Sequence, residues 1–295
     1  MSLRGPLKMH RVWLLLTRIS SAYIDDYLSS MGAALAYYTF FSLTPLLLIV
    51  VSVAGLFFGD EAARGEIEGQ LTALMGDQGA IAIQGLLTSV RKPAQGVAAT
   101  LLGLVLLLVG ATTVFGELQD ALDRIWRVPA RARSSGWLSL VRARMLSFGM
   151  ILAIGFLLTV SLVFSAALST AGHWLEPRFG NWYVVAATTN ATAGFLLIAA
   201  MFAVIYKVMP QIQVHWKDVW IGALFTAVLF TIGKTLIGLY VGQAGVISGF
   251  GAAGSLVVIL VWVYYSAQIF LIGAEFTWVY ANMFGSRKIM EAEPV

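Results

Sequence analysis

Few side chains in this sequence could do chemistry, and the most unusual of them lie inside apolar stretches. Lys234 interrupts the run Val219–Tyr240. Glu275, Gln268 and Tyr264 share the run that begins at Ser255, at spacings i, i+4 and i+11 counted from Tyr264, which stacks them on one helical face. Tyr37 and Tyr38 stand early in the uncharged stretch Met31–Gly59. A lysine near the centre of a membrane helix costs about 2.5–3.5 kcal/mol on insertion scales, so Lys234 asks for a reason. Either its four-carbon stem carries the ammonium to the headgroups, or it lines a hydrophilic cavity and receives an anionic group of a substrate. The polar face at Tyr264, Gln268 and Glu275 reads either as interhelical hydrogen bonding or as the lining of a route for a polar solute. Lys234 comes late in an outward-running span and Glu275 late in an inward-running one. Glu275 is therefore expected to meet cytoplasmic arginines such as Arg124, Arg142 or Arg144.

Other chemistries find no support. His10, His173 and His215 are scattered, and the chain has no cysteine, so neither thiolate metal sites nor disulfides are available. Asp120 and Asp123 sit among arginines, the pattern of a salt-bridged loop with Arg124, Arg142 and Arg144. There is no nucleophile elbow and no phosphate loop. The run GFGAAG at Gly249–Gly254 follows no soluble strand and reads as a flexible entry to the last span. Catalytic residues, metals, cofactors and enzymatic activity are not expected.

The elements that would position these residues are helices in a bilayer. Of 295 residues 59% are apolar and only 12% charged, about half the charge of a soluble protein. The mean hydropathy is +0.83. A helix rises about 1.5 Å per residue, so roughly twenty apolar residues cross a hydrocarbon core of about 30 Å. Six stretches qualify: Met31–Gly59, Ala94–Phe115, Met145–Thr170, Trp182–Tyr206, Val219–Tyr240 and Ser255–Trp278. The first contains Pro45, expected to kink it, with Ser42, Thr44 or a neighbouring helix satisfying the carbonyl that Pro45 frees.

The expected architecture is an all-α membrane protein with six transmembrane helices and amphipathic interfacial helices. Residues 1–30 form an N-terminal segment in which Met9, Val12, Trp13, Leu16, Ile19 and Tyr23 recur at helical spacing between Lys8, Arg11 and Arg18. Residues 31–284 form the membrane domain, and residues 285–295 a short tail. Within the domain, the external connection 60–93 carries two short apolar stripes, which could form a lid, and the loop 116–144 carries six arginines. Fourteen of the nineteen Lys and Arg fall on the side of the termini, four on the other, and Lys234 lies within a span. Both termini are therefore expected to be cytoplasmic.

Four stretches, in order, then resemble one family. They are AALAYYTFFSLTP at Ala33–Pro45, DRIWRVP at Asp123–Pro129, Met209–Ala223 with VHWKDVWIGA, and Gly249–Glu275 ending WVYYSAQIFLIGAE. Together they are similar to the YihY/BrkB family of bacterial inner-membrane proteins, once labelled ribonuclease BN. Where Asp123 stands the family often has Asn, so an amide-specific role there does not carry over. The resemblance implies location in the bacterial cytoplasmic (inner) membrane. It also connects the chain with serum resistance, envelope lipid traffic and ion or solute transport.

Three functions follow. One is a transporter or lipid-translocating protein, whose partners are membrane lipids and an anionic or amphiphilic substrate. Another is a scaffold for envelope assembly, docking an envelope protein. The third is a ribonuclease, disfavoured because the chain offers no metal-binding cluster and no aqueous acid–base pair. No nucleic-acid partner is expected.

Overall fold

The computed structural model describes residues 5–58, 65, 69, 72, 79–81, 83–85, 113–129, 182–243 and 254–287. Among these every regular element is a helix: α1 (Gly5–Asp25), α2 (Leu28–Phe58), α3 (Trp182–Val208), α4 (Trp216–Gln243) and α5 (Gly254–Met283), with residues 113–125 also helical. Among the described residues three segments are long and apolar enough to cross a membrane: Thr188–Val208, Trp216–Tyr240 and Leu256–Met283. They coincide with the stretches expected as the fourth, fifth and sixth spans. The stretch expected as the first span is helical from Met31 to Phe58 and continues through Pro45. Ser42 donates its hydroxyl to the carbonyl of Thr39 at 3.0 Å, not to that of Phe41, the carbonyl a proline at 45 would release. The second and third expected spans lie outside the described residues, apart from the helical end of the former at 113–115.

Helix ends follow local chemistry. Pro210 closes α3 two residues beyond its end, and Lys207 in the last turn donates to the carbonyl of Val214 at 2.5 Å while lying over the Trp216 ring. The carbonyl of His215 accepts the first bonds of α4, from Asp218 and Val219, and Asp218 places a carboxylate in the favourable first turn. Among the described residues, two non-glycine residues adopt left-handed backbone, Tyr27 (φ 57°) and Arg127 (φ 55°). Tyr27 separates α1 from α2, and its carbonyl accepts the amides of Ser30 and Met31. At Arg127 the bonds Arg127 N–H to Arg124 C=O and Val128 N–H to Asp123 C=O make a Schellman ending for the 113–125 helix.

The chain divides into two compact units. The first comprises Met1–Asp26, Leu122–Thr231 and Ile272–Val295, the second Tyr27–Ala121 and Ile232–Leu271. In the first, α4 and α5 pack antiparallel through a reciprocal small-residue fit. Gly222 lies against Thr277, and Gly273 lies against Thr226 and the Tyr206 hydroxyl, so a Cβ at either glycine would collide. Both helices thus carry the same Gly-xxx-Thr spacing, and each glycine receives the threonine of its partner. Phe225 stacks on Phe276 at 3.9 Å, and α3 joins through Phe202 against Phe230 and Tyr206 Oη to Thr226 Oγ1 at 3.0 Å. In the second unit, Gly32 of α2 lies against Gln268 and Tyr264 of α5, and Gly233 of α4 against Ile269 and Tyr265. Ile237 and Val258 form its buried cluster with Val261, Trp262 and Tyr265.

The exposed apolar side chains of α4 suit a bilayer. Trp220, Leu224, Val228, Ile232, Leu236 and Tyr240 are all exposed at a four-residue repeat. The two aromatic ends are twenty residues apart, about 30 Å along the axis, matching a hydrocarbon core flanked by interfacial aromatics.

Candidate functional site

Among its described residues the first unit collects four buried carboxylates, and three of them have donors. Asp123 accepts the amide of Gln211 at 2.8 Å, tying the DRIWRVP turn to the loop after α3. Asp218 accepts both the amide and the hydroxyl of Ser286, at 3.1 and 2.5 Å, which binds the start of α4 to the chain leaving α5. Asp26, at the end of α1, accepts Arg127 Nη2 at 3.0 Å.

Glu275 is the exception. It is 0% exposed, and neither of its carboxyl oxygens has a hydrogen-bond partner. Its carboxyl faces that of Asp26 and the Arg127 guanidinium. While both are ionised the two carboxylates offer each other only lone pairs, and a proton on either would let it donate to the other. The register set by Gly222 against Thr277 and Gly273 against Thr226 puts Glu275 level with Leu224, one turn or about 6 Å beyond Trp220 along α4. An uncompensated carboxylate at such a position costs several kcal/mol, which makes it a functional-site candidate by default.

Arg127 is held from two sides. Its guanidinium lies 5.0 Å from the centre of the Trp278 ring, three residues after Glu275, and its side chain remains 48% exposed. Arg287 lies over Trp126 in the same way, at 5.6 Å. The Asp26–Arg127 pair is thus braced by aromatic faces and set between two left-handed residues, Tyr27 and Arg127 itself, each a conformation costing about 1–2 kcal/mol outside glycine.

The residues singled out by sequence are distributed as follows. Arg124 is exposed and makes no ion pair with Glu275, and Asp120 is exposed as well; Arg142 and Arg144 lie outside the described residues. The guanidinium that Glu275 meets belongs to Arg127. Gln268 is buried and donates to the carbonyls of Leu28 and Ser29 at 3.3 and 3.4 Å, whereas Tyr264, four residues earlier on the same face, is exposed. Tyr37 is exposed and rests on its own helix neighbours Tyr38 and Phe41. Pro45 lies within α2, and its side chain is outside those described. Lys234 is half-buried, and among the described residues no hydrogen bond or ion pair reaches its ammonium. It stands six residues, about 9 Å, before Tyr240, within reach of an interface for its stem. Lys234 and Glu275 fall in different compact units.

Asp26, Arg127 and the Tyr206–Thr226 bond escaped the sequence reading. Asp26 looked like the end of a surface helix, and Arg127 one arginine among six. The recurring Gly-xxx-Thr spacing was the available signal for the third. A shallow groove of about 350 Å³ also opens beside Thr188, Thr189, Thr192, Ala193 and Leu196, all on α3. Its lining comes from one helix and brings no charged group. Among the described residues no cluster of three or more His, Cys, Asp or Glu could hold a metal ion.

Comparison with known proteins supplies the family. The sequence profile described as Virulence factor BrkB matches residues 19–294. The chain is 28% identical over 257 residues to a UPF0761 membrane protein of Verminephrobacter eiseniae, covering 85% of this chain and 58% of that protein. It is 31% identical over 252 residues to one of Ralstonia nicotianae, covering 85% and 55%. A third, from Tolumonas auensis, is 25% identical over 276 residues, covering 90% and 87%. The chain thus spans little more than half the length of the first two relatives. No solved structure matches. With its apolar helices and a profile match along nearly the whole chain, this protein belongs to the BrkB virulence-factor family of membrane proteins.

Proposed function

We propose that the chain is a multi-pass protein of the bacterial inner membrane, with six spans and both termini cytoplasmic, that moves a lipid or solute across the bilayer without covalent chemistry. The charge asymmetry of its Lys and Arg supports the orientation. The observation that carries the transport reading is Glu275: a carboxyl buried in a membrane-length helix, facing a charged pair and lacking any donor. A structural role would leave it hydrogen-bonded, as Asp26, Asp123 and Asp218 are. The half-exposed Arg127 beside it supports a substrate with an anionic or amphiphilic headgroup.

The test is a reconstituted-liposome assay of native protein, Glu275→Gln and Lys234→Ala, measuring fluorescent-lipid scrambling and gradient-driven uptake of small anions. Activity in native protein that Glu275→Gln removes while the fold persists supports this reading. Activity indifferent to Glu275 overturns the assignment of the site, and inactivity toward both substrate classes favours a second reading. That reading is a scaffold docking an envelope protein, favoured by the exposed Trp13, Leu14, Leu16 and Ile24 of α1. It is tested by cross-linking from α1.

A further inference from the structure

We infer that Asp26, Arg127 and Glu275 form a binding site for one monovalent cation, an inference that rests on the transport reading above and names the ion that would drive it. Three separate segments build the site: the α1–α2 junction, the left-handed turn after the 113–125 helix, and α5. Arg127 neutralises Asp26 through the 3.0 Å bond to Oδ2. Glu275 then remains as one negative charge, fully buried, with both oxygens unfilled. A carboxylate presents about four lone-pair directions, and burial without partners costs several kcal/mol. The group that would relieve this carries a single positive charge and is small enough to reach a site closed to solvent. It would lie between the oxygens of Glu275 and the Asp26 carboxyl.

The charge count excludes a divalent ion. Two carboxylates and one guanidinium leave a deficit of one, and calcium takes about 6–8 oxygen ligands, commonly including several carboxylates. No third carboxylate, histidine or cysteine joins the cluster among the described residues. Two sources supply one positive charge to carboxyl oxygens, an alkali ion such as sodium or a proton, and the same residues would serve either. Neighbouring Trp278 covers one face of the Arg127 guanidinium.

The experiment uses the full chain purified in detergent, in choline buffer free of alkali ions. Binding of radioactive sodium is measured for native protein, Glu275→Gln, Asp26→Asn and Glu275→Asp, and protonated-carboxyl bands are recorded by infrared spectroscopy between acid and alkaline buffer. Saturable sodium binding that falls at least about tenfold in Glu275→Gln and Asp26→Asn, and shifts less in Glu275→Asp, supports the alkali-ion arm. No sodium binding, with one carboxyl band in native protein that disappears in Glu275→Gln, supports the proton arm. Glu275→Asp retains the charge and keeps the test valid should the glutamine variant fail to fold. Absence of both signals in native protein, or signals unchanged in the Glu275 variants, overturns the inference. Should cation binding fail while Glu275-dependent transport persists, only this inference falls; should binding stand without transport, the site stands and the transport reading falls.

Discussion

Each of the two compact units holds an ionisable residue well inside a membrane-length helix, Glu275 in the first and Lys234 in the second, and their surroundings differ. Around Glu275 the polar atoms are buried and mostly paired, with Asp26 on Arg127, Asp123 on Gln211, Asp218 on Ser286 and Tyr206 on Thr226. In the unit that holds Lys234, the ammonium has no partner among the described residues, Tyr264 and Tyr37 are exposed, and Gln268 reaches carbonyls that already serve α2. A lysine at the edge of a span can solve its problem alone, by extending its stem to water. A carboxylate has no such stem, so burying it requires other groups to be placed around it. Glu275 is thus set among placed polar groups, whereas among the described residues Lys234 is not.

The largest test of that contrast is functional. Glu275→Gln should lower transport on the order of 100-fold, about 2.7 kcal/mol, whereas Lys234→Gln should change it less than about twofold. Initial rates in proteoliposomes at matched protein density measure both. The reverse order would move the pathway to the second unit.

Packing gives the next effect. Gly273→Ala pushes a Cβ into Thr226 and the Tyr206 hydroxyl and should cost about 1–3 kcal/mol, lowering the thermal unfolding midpoint in detergent. Gly238→Ala, on the same α4 that supplies Thr226, meets nothing within 4 Å and should gain about 0.5–1 kcal/mol from helix propensity alone. Equal responses at the two glycines would mean that the Gly-xxx-Thr fit does not hold the helices together.

The spans α3 to α5 were legible because apolar length in a bilayer needs no tertiary information, and Glu275 was legible as a carboxyl seeking an arginine. The identity of that arginine was not. Reading DRIWRVP as continuing helix puts Arg124 and Arg127 on one face; the helix instead stops at residue 125, and the left-handed turn sends Arg127 to Asp26. A positive φ at arginine leaves no mark in composition or periodicity. Asp26 was hidden for a related reason: its neighbour Tyr27 breaks the helix where a bulky aromatic gives no sign of a break. Pro45 lies inside a helix that continues, as the sequence reading placed it.

The turn itself is testable at a smaller scale. Arg127→Ala and Arg127→Gly both remove the pair with Asp26, but only glycine adopts φ near 55° without cost. Arg127→Gly should therefore be more stable than Arg127→Ala by about 1 kcal/mol, read from the same thermal midpoints. Equal stability would show that the turn relaxes once the ion pair is gone.

The smallest effect belongs to the second unit. Gln268 is buried against Gly32, yet its bonds to the Leu28 and Ser29 carbonyls are long, and both carbonyls lie in the first turn of α2, where backbone amides already claim them. Gln268→Met keeps the volume and removes the amide. It should cost about 0.6 kcal/mol, the average for a polar contact between membrane helices, and leave transport unchanged. A loss above about 2 kcal/mol would mean that the amide satisfies a group no other donor reaches. Loss of transport at unchanged stability would be more telling, because it would make the α5 face from Tyr264 to Gln268 part of the route and extend the site around Glu275 into the second unit.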